Sequence, residues 1–260
     1  MLLVHKLRRY RSLISQFTNW PGYLSFKGGK APAFKFRMRN GFEIEVQRKM
    51  LPPFKESFFD QVYLKGYPES FKMPEEPVIV DIGANVGFFG LFIFSQYPSA
   101  RVFGFEPMPF NYKQLNQYQD TYPQFAWKNY NEAVSENRNG LTLFSSTIDQ
   151  FSTMAGVFAT DGRGEKIEVK TLTLVDVMDQ NELSHIDLLK LDCEGSEYSI
   201  LYNLSDEQLS KVTNLSIETH PGGSDSESHD ALKSYLVEKG FALTDKMNDD
   251  GTGYIWAWVA

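Results

Sequence analysis

Acidic side chains recur in this chain where an apolar run stops. Asp81 lies within Val78-Ile79-Val80-Asp81-Ile82, Glu106 stands between Phe105 and Pro107, and Asp192, Glu194 and Glu197 crowd the end of residues 186–191. A carboxylate at such a place can hold an ammonium group, take hydroxyl hydrogen bonds or accept a proton. Gly83 and Gly87 follow Asp81 and permit a sharp turn with close approach to a ligand. The dinucleotide fingerprint G-x-G-x-x-G aims a helix N-terminus at a pyrophosphate. Here the spacing is Gly83-Ala84-Asn85-Val86-Gly87, and the carboxylate just ahead of it would repel a pyrophosphate. It would accept hydrogen bonds from an ammonium group, or from water beside a cationic ligand. S-Adenosylmethionine fits that description, while a nicotinamide oxidoreductase, the alternative enzyme on such a fold, is disfavoured by the absent fingerprint and by this acid. Glu106, 25 positions after Asp81, is placed to take both ribose hydroxyls.

These groups need strand ends to hold them. The run at 78–82 suits a strand covered on both faces in a parallel sheet, with Phe88 to Phe94 continuing as an apolar helix. Strands are predicted near 78–82, 101–105, 125–130, 186–191, 214–218, 241–245 and 254–259. Helices are predicted near 87–96, 110–119, 197–203, 206–211 and 227–239. Alternation of this kind marks a doubly wound, mostly parallel α/β sheet. Asn139-Gly140 and Asp161-Gly162 mark turns, and residues 141–145 and 166–171 read as extra short strands.

Ligands of open α/β sheets bind outside the carboxyl ends of the strands, so Asp192 and Glu194 should share a crevice with Asp81 and Glu106. Crowded carboxylates repel, which raises at least one toward a useful general-base pKa unless a cation joins them. Glu197 reads either as part of this cluster or as a first-turn acid favoured by the helix dipole. Glu218 and His220 end the next strand. His220 can be a base, a metal ligand or a polar loop residue. A divalent ion on Asp192, Glu194, Glu218 and His220 is possible, though nothing requires it. His5, His185 and His229 read as structural or surface residues, and Cys193, the only cysteine, as a small buried hydrophobe.

Residues 1–72 read as a cap beside a cofactor domain at 73–260. Residues 1–50 carry eleven Lys or Arg against Glu43 and Glu45, within a chain of net charge −7. The acidic body argues against nucleic acid as a partner, while the basic segment could meet a phosphate-bearing substrate or an anionic membrane. Lys6, Arg8, Arg9 and Arg11 with Leu2, Leu3, Leu7, Leu13, Ile14 and Phe17 could form a membrane-surface helix over residues 1–20, or a helix packed on the main body. Alternation predicts a hairpin pairing Phe36 with Ile44, Phe34 with Val46, Arg37 with Glu43 and Lys35 with Glu45, with Gly41 left-handed in a three-residue loop. Its apolar face would be covered by the aromatic stretch from Phe54 to Phe71. Trp20, Tyr23, Tyr63 and Tyr67 could stack on sugars or fill the cap core. The 260 residues contain no run of roughly 20 apolar residues and no signal-peptide pattern, so a cytoplasmic location, with peripheral contact at the inner membrane face through residues 1–20, is the expectation.

Four separated motifs carry a more specific likeness: Asp81 to Gly87, Phe105-Glu106-Pro107, Asn131-Glu132-Ala133-Val134-Ser135, and residues 186–197. Together, across about residues 78–220, the chain resembles the FkbM family of S-adenosylmethionine-dependent methyltransferases. It departs at Gly90, where relatives commonly have Ser or Thr, and at Cys193, where they usually have Val. The resemblance implies a Rossmann-like class I methyltransferase fold and transfer of a methyl group to a hydroxyl of a saccharide, glycolipid or related product. It further implies Gly83, Ala84, Asn85 and Gly87 beneath the methionine part of the donor, Glu106 and Pro107 at the ribose, Asn131, Glu132 and Ala133 near the adenine, and Asp192 near the donor amino group or methyl. Candidates for the catalytic base are Asp192, Glu194, Glu218 and His220. A binding module that keeps only a vestigial nucleoside pocket is the non-enzymatic alternative.

Overall fold

The computed structural model describes residues 2–145 and 165–259; the expected Asp161-Gly162 turn lies outside them. Two helices come first, α1 (Leu2–Gln16) and α2 (Trp20–Gly28), then the hairpin β1 (Ala33–Arg37) and β2 (Glu43–Gln47). The hairpin has the register that alternation demanded, Phe34 opposite Val46 and Arg37 opposite Glu43. The Met38 amide donates to Phe42 O at 2.7 Å, and Gly41 has φ 88°, the left-handed position of the loop. Helix α3 (Leu51–Lys55) runs on into a wider helical turn, Glu56–Asp60.

The remaining elements follow in chain order: β3 (Val78–Ile82), α4 (Phe88–Gln96), β4 (Arg101–Phe105), α5 (Pro109–Thr121) and β5 (Ala126–Tyr130). Next are β6 (Ala133–Val134), β7 (Leu141–Ser145), β8 (Glu165–Val169), β9 (Thr171–Leu172) and α6 (Leu174–Gln180). The last are β10 (Leu188–Leu191), α7 (Glu197–Tyr202), α8 (Asp206–Leu209), β11 (Asn214–Thr219), α9 (His229–Glu238), β12 (Phe241–Met247) and β13 (Gly253–Val259). Seven strands form one sheet in the order β12-β13-β11-β10-β3-β4-β5, parallel except for β13, which is antiparallel to both β11 and β12. Chain order reverses at β3, which has β4 on one side and β10 on the other. A crevice therefore opens beyond the carboxyl ends of β3 and β10.

A strand boundary and a whole helix differ from expectation. The predicted strand at 186 begins at Leu188, because Ile186 makes only an isolated bridge to Val212. Helix α6 was not anticipated, although Thr173 and Asp176 form a reciprocal capping box at its start.

Residues of the N-terminal segment share a core with the sheet domain. Phe36 stacks on Phe54 and Phe54 on Phe58, with centroids 4.4 and 4.6 Å apart; Phe54 and Phe58 then meet Phe88 and Phe92 of α4 edge-on at 5.3 and 5.5 Å. Helix α4 is apolar all round because it is covered on both sides, by this aromatic layer and by the sheet. Leu13 and Phe17 are buried in the same core, so α1 packs inward by its apolar side, while Tyr10 and Ile14 point outward. Tyr23 and Tyr67 are buried core residues and Trp20 packs against that core, which leaves only Tyr63 of the four candidate stacking rings on the cleft described below. Tyr67 donates to Leu215 O (2.6 Å), Ser216 donates to Tyr63 O (2.6 Å) and Trp256 Nε1 donates to Val62 O (2.9 Å), fixing the 62–67 segment across β11 and β13.

Candidate active site

The loop after β3 is held first by its own backbone. Gly83 and Ala84 amides both donate to Phe105 O at 3.0 Å. Gly83 has φ 75°, and a Cβ there would lie 1.7 Å from Asp192 O, so the tips of β3 and β10 touch in a way that only glycine allows. Gly83→Ala is expected to destabilise the fold by at least about 2 kcal/mol, through strained φ and this backbone clash, as urea denaturation would measure. Gly87 faces Leu115 and Trp127 instead of the crevice and serves the start of α4.

One cleft, open to solvent, lies over this loop. Glu106 forms its wall and accepts from Asn85 N (2.8 Å, Oε2) and Met108 N (2.9 Å, Oε1). Burial pushes its carboxyl up to about 7, against the pull of those two amide bonds. Pro107, Met108, Asn111, Ala133, Leu141 and Leu143 line the far end. Asn131 and Glu132 are not on this wall. Asn131 instead donates to Glu106 O and Pro107 O, both at 2.9 Å, and so shapes the cleft from behind. Leu141 and Leu143 were missed as site residues; their i, i+2 spacing on a short strand was the available signal.

A second cleft of about 750 Å³ adjoins the first through Gly83, Asn85, Asp192 and Glu194. Asp81 is on neither wall. It lies behind the loop, 1% exposed, with Lys190 Nζ 2.9 Å from its Oδ1. At that distance the ammonium and the carboxylate form a buried ion pair. Lys190 also donates to Gly83 O (2.8 Å) and stands 3.7 Å from Asp192 Oδ2. Burial lowers the Lys190 pKa, but Asp81 and Asp192 outweigh it, and the ammonium is held above its ordinary range. Lys190 was overlooked, although a lone charge inside an apolar strand signals a buried partner. Tyr63, from the N-terminal segment, donates to Asp192 Oδ2 at 2.6 Å.

Glu197 is fully buried and accepts from Gly195 N (2.9 Å), His220 N (2.7 Å) and His220 Nδ1 (3.2 Å). It ties the β10 tip to the β11 tip. Burial depresses the His220 pKa, yet the hydrogen bond and charge of Glu197, with Asp192 and Glu194, raise it to about 10. His220 is therefore an imidazolium at neutral pH, its Nε2 3.6 Å from Glu194 Oε2. Burial pushes Glu194 up to about 7, with His220 opposing. Burial and the Asp192 charge push Glu218 up to about 8, with His220 and the Tyr254 hydroxyl, which donates at 3.0 Å, opposing. Among the described residues, no three His, Cys, Asp or Glu side chains converge as a metal site. The possible ion on Asp192, Glu194, Glu218 and His220 is not supported, because Tyr63, Lys190, Glu197 and Tyr254 already engage those groups.

A pH dependence of stability follows. Glu106, Glu194, Glu218 and His220 all have folded pKa values above their ordinary ones, so the native state binds more protons than the unfolded state from about pH 4.5 to 10. Stability is expected to fall as pH rises through that window. Calorimetry without ligand should give a lower Tm at pH 9 than at pH 6, with a shallower decline in Glu218→Gln.

The sheet order and the crevice at its switch point define a Rossmann-like class I methyltransferase fold. Residues 81–243 match the Methyltransferase FkbM domain, and the chain belongs to the FkbM family of methyltransferases. It is similar to Methyltransferase sdnD of Sordaria araneosa, 29% identical over 227 residues that cover 74% of this chain and 82% of that protein. The 31-O-demethyl-FK506 methyltransferase FkbM of Streptomyces tacrolimicus is 25% identical over 194 residues, 64% of this chain and 73% of that protein. A crystal structure of Methyltransferase FkbM from Methylobacillus flagellatus shares the fold, with TM-score 0.53 and 16% identity over 78% of this chain; the chain spans 50% of that structure's length.

Proposed function

We propose that the protein transfers a methyl group from S-adenosylmethionine to a hydroxyl oxygen of a saccharide, glycolipid or related small molecule. The observation that carries this reading is the junction of the two clefts at Gly83, Asn85, Asp192 and Glu194, with Glu106 in one and Glu218 in the other. Glu106 would take the ribose hydroxyls, Met108, Ala133, Leu141 and Leu143 would flank the adenine, and Gly83, Asn85 and Asp192 would hold the amino-acid end. The close approach of Gly83 to the Asp192 carbonyl supports this fit, since it leaves a smooth floor that any Cβ would break.

The donor supplies a methyl already activated by its sulfonium. The chain's residues must align the acceptor oxygen and exclude water, which is worth several orders of magnitude in rate. Glu218 is the proposed base because its raised pKa suits proton removal near neutral pH. His220, held as a cation by Glu197, orients Glu194. Glu56, Asp192, Glu194 and Glu218 face only Lys190 and His220 as cations among the described residues lining the second cleft, which favours a neutral, hydroxyl-rich acceptor over an anionic one. The 31-O-demethyl-FK506 methyltransferase, by its name, acts on a compound lacking an O-methyl, in keeping with an oxygen acceptor. A cytoplasmic site of action belongs to the same reading; no described helix is long and apolar enough to cross a membrane.

Labelled methyl donor should mark a glycan or lipid fraction of a cell extract, equally with and without a chelator. Label only on protein or nucleic acid would overturn the acceptor class. Donor binding without transfer to any fraction would favour a binding module.

A further inference from the structure

The N-terminal helices enclose a groove that the proposed reaction does not use. Its free space is about 640 Å³, with Leu13, Tyr23 and Phe59 buried at its base and Arg9, Lys27 and Lys55 around it. Asp60 fixes Arg9 through a two-pronged contact, Nε donating to Oδ1 at 2.6 Å and Nη2 meeting Oδ2. Among the described residues, neither Lys27 nor Lys55 has a carboxylate at ion-pair distance. Burial, then the charges of Arg9 and Lys27, hold the Lys55 ammonium below its usual range. Asp60 is bound to Arg9 and its charge also reaches Lys55, and Glu56, on the wall of the neighbouring cleft, adds its charge at Arg9. Three cations against these two carboxylates keep a residual positive field, centred on Lys27 and Lys55, that an anion would relieve.

The two helices around the groove, α1 with Tyr10 on its wall and α2 with Lys27, point to the kind of anion. Tyr10 and Ile14, one turn apart on α1, and Leu24, one turn before Lys27 on α2, are 41%, 42% and 40% exposed. Outward apolar side chains beside cations make a surface that seats itself in a lipid interface. Free phosphate would satisfy the cations but leave these three side chains in water. We propose that the groove takes the phosphate headgroup of an anionic lipid at a membrane surface, with Tyr10, Ile14 and Leu24 entering the acyl layer. The segment from Leu51 to Asp60 separates this groove from the proposed acceptor cleft: Lys55 and Phe59 line one, Pro52, Pro53 and Glu56 the other. A bilayer bound at the groove would bring lipid-linked hydroxyls to the acceptor side. The lipid site itself stands independently of the methyl-transfer reading.

The test is sedimentation of the full chain with phosphatidylcholine vesicles, with and without phosphatidylglycerol, alongside a melting titration with inorganic phosphate. Binding is expected only with phosphatidylglycerol. Lys27→Glu with Lys55→Glu should weaken it by about tenfold or more, and Leu24→Ser should weaken it separately, with Tm and methyl-donor binding retained in both variants. Absence of vesicle binding, or vesicle binding equal in both variants and the parent, overturns the proposal. So does stabilisation by inorganic phosphate without vesicle binding, which would make this a site for free phosphate.

Discussion

Replacing Glu106 with alanine is expected to abolish binding of S-adenosylmethionine at concentrations that saturate the parent protein. The side chain would lose two proposed hydroxyl contacts, and the Asn85 and Met108 amides would lose their acceptor. Hydrogen bonds to a charged group contribute about 1.5–3 kcal/mol each, so losing two costs at least about 3 kcal/mol, or roughly 100-fold in affinity. Glu106→Gln keeps the shape but loses the charge and one acceptor, and should fall in between. The pH dependence separates this role from a structural one. With its carboxyl raised to about 7, Glu106 becomes protonated as pH falls through that value, and parent affinity should decline below about pH 7. Glu106→Gln should lack that decline. Calorimetric titration at several pH values measures both effects, and wild-type affinity in Glu106→Ala would refute the ribose assignment.

Glu218→Gln is expected to lower kcat by about 10²–10⁴, the ordinary contribution of a positioned base, while leaving donor affinity nearly unchanged. A base acts when deprotonated, so kcat/KM of the parent should rise with pH and level off above about 8, the value for the free protein. The glutamine variant should lose that limb. Glu194→Gln removes the neighbour of His220 without removing the base, and its profile should keep the rise. If Glu218→Gln retains both rate and limb, proton removal belongs to Asp192.

What was legible in the sequence was local. The strand at 78–82 announced itself by a continuous apolar run before glycines, and the hairpin register by matching Arg37 to Glu43 and Lys35 to Glu45. Glu106 was found because a strand, an acid and a proline stand together. What was illegible depended on groups brought together from distant positions. Asp81 looked like a ligand contact until Lys190, from the adjacent strand, was seen to claim its charge. His220 looked like a base, but its charge state is set by Glu197 across the gap between two strand tips. Asn131 and Glu132 fell beside the cleft, which is lined instead by Ala133 and Val134 of β6 and by Leu141 and Leu143 of β7.

The aromatic layer joining Phe36, Phe54 and Phe58 to Phe88 and Phe92 bears on how such proteins diversify. The N-terminal segment, which supplies Pro52, Pro53, Glu56, Ser57 and Tyr63 to the second cleft, and the sheet share one interior with α4 as its common wall. An N-terminal segment grafted from a relative would therefore have to fit this interior as well as the cleft it lines. A workable chimera must bring its own Phe88 and Phe92 surface, so substitutions on the two sides of that wall must change in step.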